Sequence, residues 1–305
     1  MKVALLQGGR SLERGVSLRS GARVAEALLD LGHVVEVFDL GPDLVSRLTE
    51  TRPDVAFIAL HGTEGEDGTI QALLELLGIP HTGPGVAACQ RCMDKSLAKY
   101  ILREHNLPTP DWVTYSEAAI RDFGAATSFQ RAVDVVGIPL VAKPASQGSS
   151  LGVKVVTSPE EIPGALITAL SYDSRALLET WVSGREVAVS VLGDEVLPIV
   201  EAIPTDSNAY NFEARYEIGG AEFVCPAELE PAVADEINRV ALAAYNALGC
   251  SGFSRVDLIL GEDGPQILEV NAIPGLTETS LLPQAAEAAG FGFNEMVGRI
   301  LELAK

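Results

Sequence analysis

Positive charge is what this sequence has least of: 22 Lys and Arg stand against 42 Asp and Glu, a net charge of -20. A nucleic-acid or anionic-membrane partner needs a basic footprint, so the balance argues against both. Any polyanion bound here must be held by local or metallic charge. Cysteine is sparse as well, with four residues in 305. That count makes no disulfide scaffold and fits a reducing compartment. Cys89 and Cys92 form one C-x-x-C, but Cys225 and Cys250 supply no second pair for a zinc or redox site. No apolar run reaches membrane-spanning length, and MKVALLQGG is interrupted too early for a signal peptide, so the expected location is the cytoplasm. Two phosphate fingerprints are missing too: Gly8-Gly9 lacks the G-x-G-x-x-G spacing, and no Gly-Lys-Ser/Thr occurs.

What remains is a globular composition, 47% hydrophobic and 21% charged, with length for two or three cores. The organising stretch is 252–281, which reads as two apolar strands joined by Glu262-Asp263-Gly264 and followed by Pro274-Gly275. Arg255 and Asp257 are two apart on the first strand, Glu269 and Asn271 on the second, and side chains two apart share a face. One face would then carry an arginine, two carboxylates and an amide between apolar runs such as Leu258-Ile259-Leu260. Paired acids at a buried edge need a countercharge. Oxygen donors without His or Cys suit a hard cation such as Mg2+, which keeps waters and shares substrate phosphates. An Arg-carboxylate pair that merely closes a sheet fits the hairpin equally well, and the rest of the chain has to decide.

In chain order, 3–6, 34–38 and 55–60 read as strands alternating with helices, the first helix at 18–31. This is the rhythm of a parallel sheet with ligands at its carboxyl edge. Glu13 lies in the loop after the first strand. His61 follows the third, at the head of a segment whose three glycines permit close backbone approach. Glu13 could hold an ammonium and His61 could donate a hydrogen bond or shuttle a proton, although each alone also reads as a plain loop residue. Asp67 reads as the N-cap of a helix at 68–77, and Asp94 as the cap of a helix running to 106. Lys95 sits in that helix's first turn, an unfavourable end for a cation unless an anion binds there; a solvated surface lysine is the plainer alternative. In PLVAKPASQGSSLGVKVV, Lys143 ends an apolar strand. The loop 146–152, with Ser149 and Ser150, can present N–H groups and hydroxyls to phosphates, or be an ordinary mobile hairpin. A helix at 159–171 and strands at 176–182 and 187–192 follow. Glu179 and Glu186 flank an apolar bend whose backbone could pair with an adenine edge, with Glu186 placed to accept from ribose hydroxyls.

The stretches GGRSLERGVSL, ALHGTEGEDGTIQALLELLGIPHTGPGV, MDKSLAK, AKPASQGSSLGV, LETWVSGREVAV, YNFEARYE, FVCPA, RVDLIL and LEVNAIPGLTETSL occur in this order. Together they resemble the ATP-grasp superfamily and, within it, the D-alanine:D-alanine ligase family, over essentially the whole chain. The resemblance implies an α/β, three-domain ATP-grasp fold. Residues 1–93 would be an N-terminal parallel-sheet domain, 94–182 a central α+β domain with a phosphate lid, and 183–305 a C-terminal α+β domain with the metal site and a substrate lid. ATP would lie between the last two. Lys95 and Lys143 would contact its phosphates under the loop at Ser149 and Ser150. Glu179, Trp181, Val182 and Glu186 would line the adenosine. Asp257, Glu269 and Asn271 would bind two Mg2+ or Mn2+ ions, with Glu269 bridging them. Glu13 would take the first substrate's ammonium, in a set with Ser149 and Tyr216, and His61 would sit beside that substrate. Arg255 and the Gly275 N–H would stabilise a tetrahedral oxyanion, while Ser280 and Leu281 would hold the second substrate's carboxylate at a helix N-terminus.

The implied reaction is ATP-dependent joining of two D-alanines through an acyl phosphate, feeding peptidoglycan synthesis. The implied assembly is a homodimer, and a monovalent cation is a further family option. A ligase taking D-serine or another small amino acid second, or a nucleotide-binding regulator without activity, are the alternatives. Intact Lys143, Arg255, Asp257, Glu269 and Asn271 argue against the regulator, and Tyr216 favours an amine over D-lactate as second substrate. The chain departs from the family pattern at Gly15, where an acid or another residue is frequent. Arg215 stands where lysine is usual, Ala272 where threonine is common, and Thr279 where histidine sometimes occurs; none of these removes a metal ligand.

Overall fold

A computed structural model describes residues 1–204 and 221–304. The chain opens on β1 (Lys2–Gln7), in which Val3, Ala4, Leu5 and Leu6 are wholly buried. An unbroken apolar run is what a parallel strand covered on both faces requires. Helix α1 (Arg14–Asp30), β2 (Val34–Asp39), α2 (Leu44–Thr51) and β3 (Val55–Ile58) complete a parallel sheet ordered β2-β1-β3. Helix α1 begins four residues before the hydropathy pattern at 18–31 starts. Its buried face opens with Ser17, Ser20 and Gly21, small residues that hydropathy does not register.

Helices α3 (Thr69–Leu77), α4 (Val86–Met93) and α5 (Lys95–Glu104) follow. Asp67 is not the cap of α3: Gly68 occupies that position with φ 91°, a left-handed conformation that favours glycine. The Asp67 carboxylate accepts instead from the Thr69 and Glu64 N–H groups, both at 2.9 Å. Asp94 does cap α5, accepting from the Leu97 N–H at 3.0 Å.

The next elements are β4 (Trp112–Ser116), α6 (Glu117–Phe123), α7 (Phe129–Val136), β5 (Leu140–Pro144), β6 (Lys154–Val156), α8 (Ile162–Leu170) and β7 (Arg175–Thr180). They build an antiparallel sheet ordered β4-β7-β5-β6 around its own core of Leu140, Val156, Ile162, Leu166 and Leu178.

The last part comprises β8 (Arg185–Leu192), β9 (Glu195–Val196), β10 (Val200–Pro204), β11 (Ala221–Val224), α9 (Pro231–Ala247), β12 (Phe253–Gly261), β13 (Gly264–Asn271), α10 (Leu281–Ala288) and α11 (Phe293–Glu302). Its antiparallel sheet runs β11-β10-β8-β12-β13, with β9 on β8. Leu258 and Ile267 of the hairpin are fully buried, worth about 1.5–3 kcal/mol each. One continuous apolar core joins the first and last sheets, with α1 packed on α11. Helix α5 lies at the junction. It packs on α9 and β13, while its Lys95 N–H donates to the Ala145 carbonyl beyond β5 at 2.9 Å. Among the described residues no helix is long and apolar enough to cross a membrane.

Candidate active site

The hairpin places its charges as the two-residue spacing requires. Arg255 faces Asn271 and Asp257 faces Glu269 across the β12–β13 ladder, and the register shifts just after Asp257, where the charged face ends. Arg255 Nε and Nη2 donate to the two Asp257 oxygens at 2.6 and 2.7 Å, and Asn271 Nδ2 donates to Asp257 Oδ2 at 2.9 Å. Lys95 Nζ lies 3.0 Å from Glu269 Oε2 and donates to the Gln147 carbonyl at 2.6 Å. Burial alone would raise the Glu269 carboxyl. The charges of Lys95, Lys143 and Arg255 overcome it and hold the group below the usual carboxylate range. Glu269 is therefore ionised against fixed cations. Among the described residues no three His, Cys, Asp or Glu side chains cluster as a metal site. Two carboxylates and an amide form the leaner oxygen set that Mg2+ completes with waters and phosphate oxygens, so the residues present fit that ion. The Asn271 nitrogen is turned to Asp257, which leaves its oxygen for a cation.

This face opens into a cavity of about 510 Å³. Glu13 and His61 reach it from the first sheet, Ser149 from the loop after β5, and Glu186 from β8. Lys95, Arg255, Glu269 and Asn271 form a polar wall, and Gly275, Ser280 and Leu281 line the cavity too. Glu13 occupies the N-cap position of α1 and accepts from the Ser149 hydroxyl. Burial raises its carboxyl pKa, nearby Glu66 adds to the rise, and the Ser149 bond opposes it. Gly62 (φ 72°) approaches the Glu13 carboxylate too closely for any side chain at that position. Ser149 (φ 48°) and Ser150 (φ 59°) are consecutive left-handed residues in the loop after β5, strain of a kind that collects at ligand sites. Ser280 is the N-cap of α10, and its Oγ is held by the Thr277 N–H at 3.0 Å and the Thr277 hydroxyl at 2.8 Å. The first-turn N–H groups of α10 can thus meet an anion in the cavity.

The family model described as D-ala D-ala ligase C-terminus matches residues 101–302, and that described as D-ala D-ala ligase N-terminus matches 43–84. This chain belongs to the D-alanine:D-alanine ligase family. A D-alanine--D-alanine ligase of Pelotomaculum thermopropionicum is 42% identical over 308 residues, spanning 100% of this chain and 96% of that relative. One from Geobacter sulfurreducens is 43% identical over 306 residues, spanning 98% and 93%. Among solved structures, a Bacillus anthracis D-alanine--D-alanine ligase complexed with ATP superposes with TM-score 0.84 at 32% identity, covering 99% of this chain and 97% of that one. A D-Ala:D-Ser ligase from Enterococcus faecalis gives TM-score 0.83 at 27% identity, covering 99% and 98%. The α/β architecture with its N-terminal parallel sheet is the ATP-grasp fold of these ligases.

Several residues expected around the nucleotide of such a ligase do not line this cavity. Glu179 is 2% exposed and does not line the cavity. Its Oε1 accepts from Lys143 Nζ at 2.7 Å, and its Oε2 lies 2.6 Å from Lys99 Nζ. The side chain thus pairs with two lysines. Burial would raise this carboxyl, but Lys143 and Lys99 bring it below its ordinary value, while burial pulls Lys99 down to about 8. Lys143 and Ser150 also lie off the cavity lining, as do Trp181 and Val182, half-buried in the bend between β7 and β8. Asp257 does not line the cavity either, and its oxygens accept from Arg255 and Asn271. Tyr216 and Arg215 lie outside the described residues.

Two participants have no role in the sequence reading. Glu66 lines the cavity and accepts from the Gly62 N–H at 2.9 Å. Lys99 is 1% exposed and also donates to Thr109 Oγ1 at 2.7 Å. A signal for Lys99 does exist: it falls on the same helical face as Lys95, Ser96 and Leu102, the buried one, where a lysine needs a partner.

Proposed function

We infer that the chain is an ATP-dependent ligase that joins two D-alanines and releases ADP and phosphate. The observation that carries this reading is the acid-cation face of the β12–β13 hairpin, opening into a cavity that Glu13 and the N-terminus of α10 also line. A carboxylate is a poor acyl donor, so the first D-alanine's carboxylate attacks the γ-phosphorus of ATP, giving D-alanyl phosphate and ADP. The amine of the second D-alanine then attacks the acyl carbon, and phosphate leaves.

Ionised Glu13 holds the first substrate's ammonium, with Ser149 fixing the carboxylate by its hydroxyl and His61 alongside. Tyr216 is assigned to the same set. Lys95 and Lys143 balance phosphate charge, while Glu179, Trp181, Val182 and Glu186 line the adenosine. Asp257, Glu269 and Asn271 would hold Mg2+ or Mn2+, which when bound neutralises charge on the transferring phosphoryl group. Arg255 and the Gly275 N–H face the oxyanion of the amine-attack step, where fixed donors need no reorganisation. Ser280 and the first N–H groups of α10 receive the second carboxylate.

The divisions 1–93, 94–182 and 183–305, a homodimeric assembly and a cytoplasmic setting belong to the same proposal. Coupled ADP release with D-alanine, D-serine, D-lactate or L-alanine offered as second substrate, with products weighed by mass spectrometry, tests it. D-alanyl-D-alanine should dominate; absence of any D-alanine-dependent turnover would leave only a nucleotide binder.

A further inference from the structure

Helix α1 joins the two ends of the site. Its N-cap is Glu13, and about 10 to 15 Å along it, at a rise of about 1.5 Å per residue, Ser20 and Arg23 grip the loop that carries Gly275. Fully buried Ser20 accepts from the Leu276 N–H at 3.1 Å, and its Oγ lies 2.9 Å from His61 Nε2. One turn on, Arg23 Nη1 donates to the Leu276 carbonyl at 2.8 Å, its guanidinium seated 3.9 Å from the Phe293 ring centroid and 3.4 Å from Glu278. His61 Nδ1 lies 3.1 Å from the Ile273 carbonyl, which can only accept, so Nδ1 carries the proton. In the neutral ring Nε2 then accepts the Ser20 O–H. Both backbone polar groups of Leu276, and the carbonyl of Ile273 on the other side of Gly275, are thereby held from the first sheet's side of the cavity.

The loop has little of its own to hold it at this point. Pro274 offers no N–H, Gly275 has no side chain to pack, and the bonds within the loop begin only at Thr277, with Ser280. Gly275 also has no room for one, because Ser280 Oγ lies 2.8 Å from where its Cβ would be. We propose that Ser20 and Arg23 are positioning residues of the second half-reaction, clamping the Leu276 backbone so that the neighbouring Gly275 N–H stays at a fixed place relative to Glu13. The proposal rests on the reading in which Glu13 holds the first substrate and Gly275 meets the oxyanion. A misplacement of about 1 Å at such a donor can cost about 100-fold in rate.

The test compares the full-length chain with Ser20→Ala, Arg23→Gln and Ser20→Thr. Amide hydrogen exchange over 272–280 is measured without substrates, beside steady-state kinetics and oxygen-isotope scrambling in ATP, which reads the first phosphoryl transfer alone. Ser20→Ala and Arg23→Gln should exchange faster at Leu276 and lose about 10- to 100-fold in kcat for dipeptide, with KM for ATP and scrambling near wild type. Ser20→Thr, which keeps the hydroxyl, should recover most of both losses. Arg23 has a partly exposed side chain, so its variant carries the test if Ser20→Ala does not fold. Wild-type exchange and kcat in both variants would overturn the clamp, and so would a fall in scrambling as large as the fall in dipeptide. If wild type makes no dipeptide, the functional reading fails, and unchanged exchange at Leu276 alone still decides against the clamp.

Discussion

Two buried lysines share one carboxylate at Glu179, and the imbalance predicts which partner matters for stability. Glu179→Gln would take from Lys99 and Lys143 the carboxylate they share, a change expected to cost about 3–5 kcal/mol. Lys99→Met leaves a balanced Lys143-Glu179 pair and should cost far less; urea unfolding of the two variants checks the order. Lys99 is held near 8 by burial against 10.5 for an unperturbed lysine, so between those values the unfolded chain binds more protons. Its contribution to stability therefore rises with pH across that window, and Lys99→Met should remove the rise. Glu13 titrates the other way. Its folded carboxyl is raised above 4.5, chiefly by burial and then by Glu66, so it takes up a proton sooner than a free glutamate as pH falls. Ammonium binding needs the ionised form, so KM for the first D-alanine should climb on acidification at pH values where an ordinary glutamate is still charged. Glu13→Gln should show a high KM at every pH, which initial-rate measurements across pH would establish.

The hairpin was legible because period-two spacing reports a shared face directly, and the observed register pairs the same residues. The start of α1 was hidden, since Ser17, Ser20 and Gly21 bury a face without hydrophobicity. The cap of α3 shifted by one residue because the left-handed turn falls on Gly68, leaving Asp67 to brace the loop before it. The Lys99–Glu179–Lys143 triad was beyond reach: its members are far apart in sequence, and only the docking of α5 against the strands joins them. That docking depends on the cap of α5. Asp94 accepts from Leu97 and also pairs with Arg175 at 2.7 Å. Asp94→Ala should destabilise by about 1 kcal/mol more than Asp94→Asn, because asparagine keeps the cap and loses only a partly exposed ion pair. Thermal unfolding of both variants measures the difference.

Across the whole molecule, three sheets contribute to one cavity, and the continuous core between the first and last explains why Glu13 and the hairpin can keep a fixed relation. The central sheet has a separate core and meets Glu13 through Ser149. Motif order in the sequence does not tell that the first and last sheets share one core, because a shared core leaves no mark on the order of motifs. A ligand bridging the parts should stabilise all of them together by mass action, so ATP with Mg2+ should raise the melting temperature as one transition. Glu269→Gln should keep the wild-type fold while losing turnover, since it removes a charge at the cavity wall and no apolar contact. The most direct measurement follows ADP and dipeptide together by mass spectrometry, in wild type and in Glu269→Gln, with ATP and D-alanine supplied. One ADP formed per D-alanyl-D-alanine in wild type, with both lost in the variant, is the predicted result. ADP release that ignores D-alanine, or a variant turning over near the wild-type rate, would contradict the account.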